Sequence, residues 1–225
     1  MFDGIIILCL LGCLVQVAFI VVEHKEKYVG AVCLKGTASF IFVIIGAIAS
    51  ASATDITLSS LVFLGLCAGA LGDVLLNLRF VFSKIGQKIF LAGIAAFLVG
   101  HILYLVALVP KCKSLTVCII VGVIVAAAVL TYIFKTMSVK LAFKLFGVLY
   151  IGAVVIMTSV AIGNLISEQS PENMLYAIGA VLFTLSDIVL IFNTFSGTTR
   201  FPLRITNLSL YYIGQLLIGC SLFFV

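Results

Sequence analysis

The sequence predicts an all-α membrane protein with eight transmembrane helices, as a single domain spanning residues 1–225. Of its 225 residues, 64% are hydrophobic and only 9% are charged, whereas a soluble domain carries about 25% charged residues. Apolar stretches near the ~20 residues that a spanning helix needs recur along the whole chain. The chain has too few polar groups to cover a surface that faces water, so the fold is expected to lie in a lipid bilayer.

Charged or proline-containing breaks separate the apolar segments. The predicted helices are Gly4–Val22, Val29–Ser50, Thr57–Leu78, Lys88–Val109, Leu115–Phe134, Leu141–Gly163, Met174–Phe195 and Leu203–Val225. The break Glu23–Lys27 is too charged to lie in hydrocarbon. Pro110, Pro171 and Pro202 fall at predicted helix ends, where a missing N–H does little harm. Each break therefore agrees with the count of eight spans.

Positive charge alternates along the connections. The loops after the odd-numbered helices, counted with the helix edges, hold ten basic residues: Lys25, Lys27, Arg79, Lys84, Lys88, Lys135, Lys140, Lys144, Arg200 and Arg204. The opposite side holds two, Lys111 and Lys113. The positive-inside rule places the richer side in the cytoplasm, so both termini are expected on the non-cytoplasmic side. Short loops favour a bacterial plasma membrane over the endoplasmic reticulum. The formal charge of +5 comes from basic loop residues that set the orientation in the membrane, so no nucleic-acid partner is expected.

Motifs for metal, cofactor or nucleophile chemistry are absent from the sequence. The seven cysteines form no CxxC pair, so neither a disulfide framework nor a thiolate metal site is expected. Only two histidines occur, His24 and His101, which excludes a His-rich metal site. GxSxG, HExxH and glycine-rich phosphate loops are also missing. The sequence predicts no metal and no cofactor.

The sequence suggests an internal repeat that relates the two halves of the chain. Asp73 and Asp187 lie 114 residues apart, close to half the length. The same offset pairs Gly65 with Gly179, Leu71 with Leu185, Val74 with Ile188, Leu76 with Leu190, Phe97 with Tyr211, Gly100 with Gly214, His101 with Gln215 and Leu103 with Leu217. Chance matching of common residues is the alternative. A true repeat, 1–112 and 113–225, predicts two like-oriented four-helix halves whose aspartates face each other across a central cavity.

Ionisable residues inside the predicted spans are functional candidates, because such a group costs several kcal/mol in a bilayer. At ~1.5 Å per residue, Lys35, Asp73 and Asp187 lie roughly 8–12 Å from the cytoplasmic helix ends. His101 and Gln215 come out nearer ~20 Å by the same rule. The first three residues are therefore expected to line a cavity open to the cytoplasmic leaflet.

Each candidate also has a structural alternative. Lys35 can extend its ammonium to the headgroups, and the two aspartates can be structural partners of lysines. His101, Asn77 and Gln215 can serve as hydrogen-bonding contacts between helices.

Two buried carboxyl groups suit acid–base chemistry. Burial and a neighbouring carboxylate both disfavour the charged form, so such a pair can hold one protonated and one ionised group at neutral pH. An acid and a base on either side of a substrate are the arrangement of glycoside hydrolysis. The same pair equally suits a proton- or cation-coupled transporter. A lipid-binding or scaffolding protein without turnover is a further alternative.

Several segments, in order and spacing, resemble conserved segments of the YhhN-like lysoplasmalogenase family. They are Gly65–Leu76, Phe90–Tyr104, Tyr150–Met157, Gly179–Asp187 and Tyr211–Leu217. Lys35 falls where that family has a lysine in its second helix, although here Gly36 and Thr37 follow it in place of a nearby proline. The resemblance implies a hydrolase that cleaves the vinyl-ether bond of lysoplasmalogens. Its products are a fatty aldehyde and glycerophosphoethanolamine or glycerophosphocholine, and no cofactor is needed.

The resemblance also suggests roles for the candidates, with a lysophospholipid substrate and membrane lipids as partners. Asp73 and Asp187 would be the catalytic acid and base, without an assignment of which is which. Lys35 would hold the lipid phosphate. The residues that would orient the carboxyls, the water or the glycerol oxygen are His101, Tyr104, Tyr150, Tyr211 and Gln215. Asn77 and Ser186, which lie close to the aspartates in sequence, are also predicted to bind the substrate.

Overall fold

The fold is known from a computed structural model, which describes residues 2–137, 141–195 and 199–225. Within these ranges the long elements are eight α-helices: α1 (Phe2–His24), α2 (Tyr28–Ser50), α3 (Ile56–Val81), α4 (Gly86–Leu108), α5 (Leu115–Thr136), α6 (Leu141–Ser167), α7 (Pro171–Phe195) and α8 (Phe201–Ser221). All eight are long and apolar enough to cross a membrane. The predicted fold class is confirmed. Lys140, counted above among the basic residues, lies outside the described residues.

Several helices extend beyond their predicted ends. The α3 helix begins one residue early because the Asp55 carboxylate accepts a hydrogen bond from the Leu58 backbone N–H at 2.9 Å and so caps the helix. It also continues to Val81. The α7 helix starts at Pro171, whose missing N–H has no helical partner in the first turn. Hydropathy marks where the chain leaves the apolar layer, whereas capping decides where a helix begins.

Glycines bring the backbones of two helix pairs together. A Cβ atom on Gly100 of α4 would lie 3.1 Å from the carbonyl oxygen of Gly65 in α3. A Cβ atom on Gly214 of α8 would lie 2.8 Å from the carbonyl oxygen of Gly179 in α7. Small residues allow such close helix approach in membranes. The 114-residue offset aligns these two glycine pairs, so α3–α4 and α7–α8 touch at equivalent points. The repeat itself stays a prediction.

We expect Gly214→Ala to lower the free energy of unfolding by about 1–3 kcal/mol. The new Cβ would meet the backbone of Gly179 at 2.8 Å and of Phe183 at 3.1 Å, and backbone atoms cannot rotate away. Gly152→Ala is the control, because a Cβ there meets no atom within 4 Å. Thermal unfolding in detergent compares the two variants. Equal midpoints would contradict the close contact between α7 and α8.

The helices form two groups, one around α2 and one around α6. The α2 helix contacts α1, α3 and α8, which form one side of the bundle. The α6 helix contacts α4, α5 and α7, and α5 packs mainly on α6. Residues of α3 and α7 can therefore face the same interior space from different sides.

Candidate functional site

A cavity with a volume of about 1140 Å³, including the part open to the outside, reaches both aspartates. Asp73 on α3 and Asp187 on α7 line it, and each is only 4% exposed. Of the other predicted site residues, five also line it: Lys35, Asn77, Tyr150, Ser186 and Tyr211. The cavity therefore brings the two aspartates and most of the other predicted site residues into one space.

Most of the cavity wall is apolar. It is formed by aliphatic and phenylalanine side chains: Leu76, Phe90, Ile94, Phe97, Leu130, Ile133, Phe134, Ile151, Leu190, Ile191, Phe195 and Leu208. Arg79, in the last turn of α3, and Arg204, in the first turn of α8, also belong to the lining. The cavity therefore extends from the aspartates to the end of the bundle that carries the basic loops.

Asp73 is surrounded by donors from α2 and α8. Its Oδ2 atom accepts hydrogen bonds from the Ser39 hydroxyl at 2.5 Å and from the Tyr211 hydroxyl at 2.7 Å. Its Oδ1 atom lies 3.4 Å from the Lys35 ammonium nitrogen. Each of these three donors, one of them cationic, stabilises the ionised form of the carboxyl group against the cost of its burial.

Lys35 points into the protein and is 1% exposed. Besides Asp73, its ammonium donates a hydrogen bond to the Gln16 side-chain oxygen at 3.4 Å and lies 4.5 Å from the centre of the Tyr211 ring. The alternative that Lys35 extends to the headgroups is therefore wrong, because its charge has a buried counter-ion and a buried acceptor.

Asp187 has a sparser environment. Its Oδ2 atom accepts a hydrogen bond from the Tyr150 hydroxyl of α6 at 2.7 Å. Among the described residues no cation forms an ion pair with it. The two aspartates thus share one cavity but have different partners. A carboxyl with one neutral donor in apolar surroundings is suited to carry a proton.

A chain of side-chain hydrogen bonds leads away from Asp73. The Tyr104 hydroxyl donates to the Gln215 oxygen at 3.0 Å, and the Gln215 amide donates to the Tyr211 hydroxyl at 3.5 Å, which in turn donates to Asp73. Gly69 makes room for this chain, since a Cβ there would lie 2.7 Å from the Gln215 amide nitrogen. Tyr104 and Gln215 are not among the described residues that line the cavity, so they contact Asp73 only through Tyr211.

His101 also lies behind the cavity wall. It is 1% exposed, and its ring centre is 4.6 Å from that of Phe183 and 5.4 Å from that of Tyr150. Neither ring nitrogen has a hydrogen-bond partner among the described residues.

Asn77 and Ser186 line the cavity through different contacts. The Asn77 amide donates to the backbone oxygen of Asp73 at 3.0 Å, whereas its own oxygen has no partner in the described part of the chain. The Ser186 hydroxyl accepts a hydrogen bond at 2.9 Å from Asn207, which ties α7 to α8. Asn77 therefore offers a free acceptor, and Ser186 is already engaged.

Sequence reasoning missed several residues around the site. Ser39 lies four residues after Lys35, on the same helix face, and this spacing was the available signal. Gln16 is an amide among apolar residues of α1 and could have been found in the same way as Gln215. Arg79 and Arg204 were used only for topology, because nothing in the sequence tells a lining arginine from a loop arginine.

These features define a polytopic membrane protein with a mainly apolar cavity that contains two buried acids. The profile of the YhhN family matches residues 30–222, and the chain belongs to this family. The resemblance noted from its segments is thereby confirmed. No curated protein and no solved structure matches the chain.

Proposed function

We propose that this protein is a membrane hydrolase that cleaves the vinyl-ether bond of lysoplasmalogens to a fatty aldehyde and glycerophosphoethanolamine or glycerophosphocholine. The observation that supports this best is one cavity that combines a long apolar wall with two carboxyl groups in unlike surroundings. The apolar wall suits an alkenyl chain, and the carboxyl pair suits acid–base chemistry. Membership in the YhhN family agrees with a hydrolase.

In this proposal Asp73 is the base and Asp187 is the acid. Lys35, through its ion pair at 3.4 Å, stabilises a carboxylate on Asp73. Asp187 holds the proton that starts the reaction, and the Tyr150 hydroxyl, 2.7 Å from its Oδ2, fixes its orientation. The acid and the base then approach the substrate from different walls of the cavity.

The reaction follows from these two protonation states. Asp187 transfers its proton to the vinyl carbon beta to the ether oxygen, which leaves an oxocarbenium ion. Asp73 accepts a proton from a water molecule as the water oxygen bonds to that cation, and a hemiacetal forms. Asp187, now ionised, takes the hemiacetal hydroxyl proton while Asp73 protonates the departing glycerol oxygen. The aldehyde is released and both groups regain their starting forms.

The other polar residues serve this chemistry by position. The free Asn77 oxygen can accept a hydrogen bond from the glycerol hydroxyl. Tyr104 and Gln215 orient Tyr211, and Tyr211 orients Asp73. His101 packs edge-on near Tyr150 and supports its ring.

Aldehyde release by purified protein in detergent tests the proposal. A panel of vinyl-ether, alkyl-ether and acyl lysolipids is expected to give aldehyde from the vinyl ether alone, since only an enol ether can accept a proton on carbon. An enzyme needs no sealed vesicle, whereas the proton- or cation-coupled transporter does. Ion-dependent uptake into proteoliposomes, without any aldehyde release, would reject the hydrolase proposal and support the transporter.

The basic end of the bundle would face the cytoplasm, with both termini on the other side. The cavity then opens toward the cytoplasmic leaflet, where Arg79 and Arg204 line it. At the opposite end Lys111 forms an ion pair with Glu172 at 2.8 Å, which leaves that side with even less net positive charge.

A further inference from the structure

An arginine that forms no ion pair within the described part of the chain lines the outer part of the cavity. Arg79 sits in the last turn of α3, with its guanidinium carbon 4.5 Å from the centre of the Phe80 ring and 4.3 Å from that of Phe90. Its buried Nε atom has no hydrogen-bond partner among the described residues. Buried polar groups normally have a partner, and contact with aromatic rings attracts a cation without neutralising it. Arg79 therefore has an unused donor beside a cavity.

The other cations of the cavity are already paired. Arg204 binds Glu23 through two hydrogen bonds of 2.6 and 2.9 Å, and Lys35 is paired with Asp73. Arg204 and Glu23 are close enough for their charges to act on Arg79, and they act in opposite senses. Arg79 thus contributes the uncompensated positive charge among the described residues that line the cavity.

We propose that Arg79 binds the phosphodiester of the lysophospholipid at the mouth of the cavity. This inference rests on the proposed function and reassigns the phosphate from Lys35, whose charge Asp73 takes up. A guanidinium matches two phosphate oxygens with two parallel donors. Arg79 follows Asp73 by six residues in α3, a rise of about 9 Å. The glycerol unit between a phosphate and a vinyl ether spans a comparable length, so phosphate at Arg79 leaves the vinyl ether near the aspartates.

Two substrates that differ only in the phosphate test this site. Arg79→Gln is measured with a lysoplasmenylethanolamine and with the corresponding 1-alkenylglycerol, both in lipid-free detergent. We expect kcat/KM to fall about 10- to 100-fold for the phospholipid and to stay unchanged for the alkenylglycerol. Lys88→Gln is the matched control, because Lys88 is an exposed cation near the same end of the bundle and is expected to leave both values unchanged. Equal losses on both substrates, or none, would overturn the proposal.

The source of the phosphate is distinguished in the same assay. If the phosphate belongs to the substrate, the selective loss is present without added lipid, and free glycerophosphoethanolamine inhibits the parent protein more than Arg79→Gln. A selective loss that appears only after phospholipid vesicles are added would show that a bilayer lipid occupies the site, against the proposal. Should Arg79→Gln fail to fold, Arg79→Lys replaces it. The lysine variant is expected to lower kcat/KM for the phospholipid and not for the alkenylglycerol. An equal loss on both substrates counts against the site.

A binding measurement separates this inference from the proposed reaction. The probe is a 1-alkyl lysophosphatidylethanolamine, which has no vinyl ether and cannot be hydrolysed by this route. Weaker equilibrium binding by Arg79→Gln, in a protein that releases no aldehyde, would support the phosphate site and reject the hydrolase. If the parent protein releases aldehyde and the variant binds the probe as well as the parent does, the hydrolase is supported and the phosphate site is rejected.

Discussion

Asp187→Asn is expected to slow vinyl-ether hydrolysis by about 10²- to 10⁴-fold while leaving the fold intact. An amide has nearly the shape of the carboxyl group and can still accept the Tyr150 hydrogen bond, but it cannot transfer a proton to carbon. The rate of aldehyde release at saturating substrate measures the effect, and binding of the 1-alkyl analogue is expected to remain.

The control for this variant is Asp55→Asn. Asp55 caps α3 outside the cavity, and asparagine caps a helix about as well as aspartate, so both activity and stability should be retained. If Asp187→Asn hydrolyses lysoplasmalogen at the parent rate, Asp187 is not the acid. Tyr150→Phe adds a graded test, because it removes the described hydrogen bond to Asp187 without removing the proton. Its loss in rate should be smaller than that of Asp187→Asn.

Asp73→Asn is expected to reduce both activity and stability. Lys35 would then be a buried cation whose counter-ion is gone, and breaking a buried pair in this way typically costs about 3–5 kcal/mol. The unfolding midpoint in detergent should fall accordingly, together with the rate of aldehyde release.

A second substitution separates the two effects. In Asp73→Asn combined with Lys35→Met, no buried charge is left unpaired, so the unfolding midpoint should return toward that of the parent protein. Hydrolysis should stay low, because the base is still missing. Parent-level activity in the double variant would mean that Asp73 is only a structural partner of Lys35, the alternative that the sequence left open.

The unlike surroundings of the two aspartates arise outside the helices that carry them. At the 114-residue offset, Lys35 corresponds to Leu149 and Ser39 to Ala153, so α6 lacks the cation and the hydroxyl that α2 supplies. In their place α6 supplies Tyr150. A pair of matching acids can thus take opposite roles because the neighbouring helices differ.

The sequence by itself determined the fold class and the family. Eight apolar segments of spanning length leave few alternatives, because a backbone in hydrocarbon must satisfy its own hydrogen bonds and a helix does so within one segment. The aspartates could be singled out for a similar reason: a charge in a span is costly wherever its neighbours are. Helix ends were placed less well, since α3 and α7 begin at a cap and at a proline that hydropathy does not register.

Only the tertiary structure decided which polar residues meet. Lys35 and Asp73 are 38 positions apart, and Tyr211 lies another 138 positions beyond Asp73, yet all three touch. Contacts of this range depend on how the helices are rotated and on where glycines let them approach. Helix rotation and close approach are properties of packed pairs of helices, so they cannot be predicted from the sequence of one segment. For the same reason the sequence shows Arg79 only as a basic residue. The fold shows that it lines the cavity and that it has no anionic partner among the residues the structure describes.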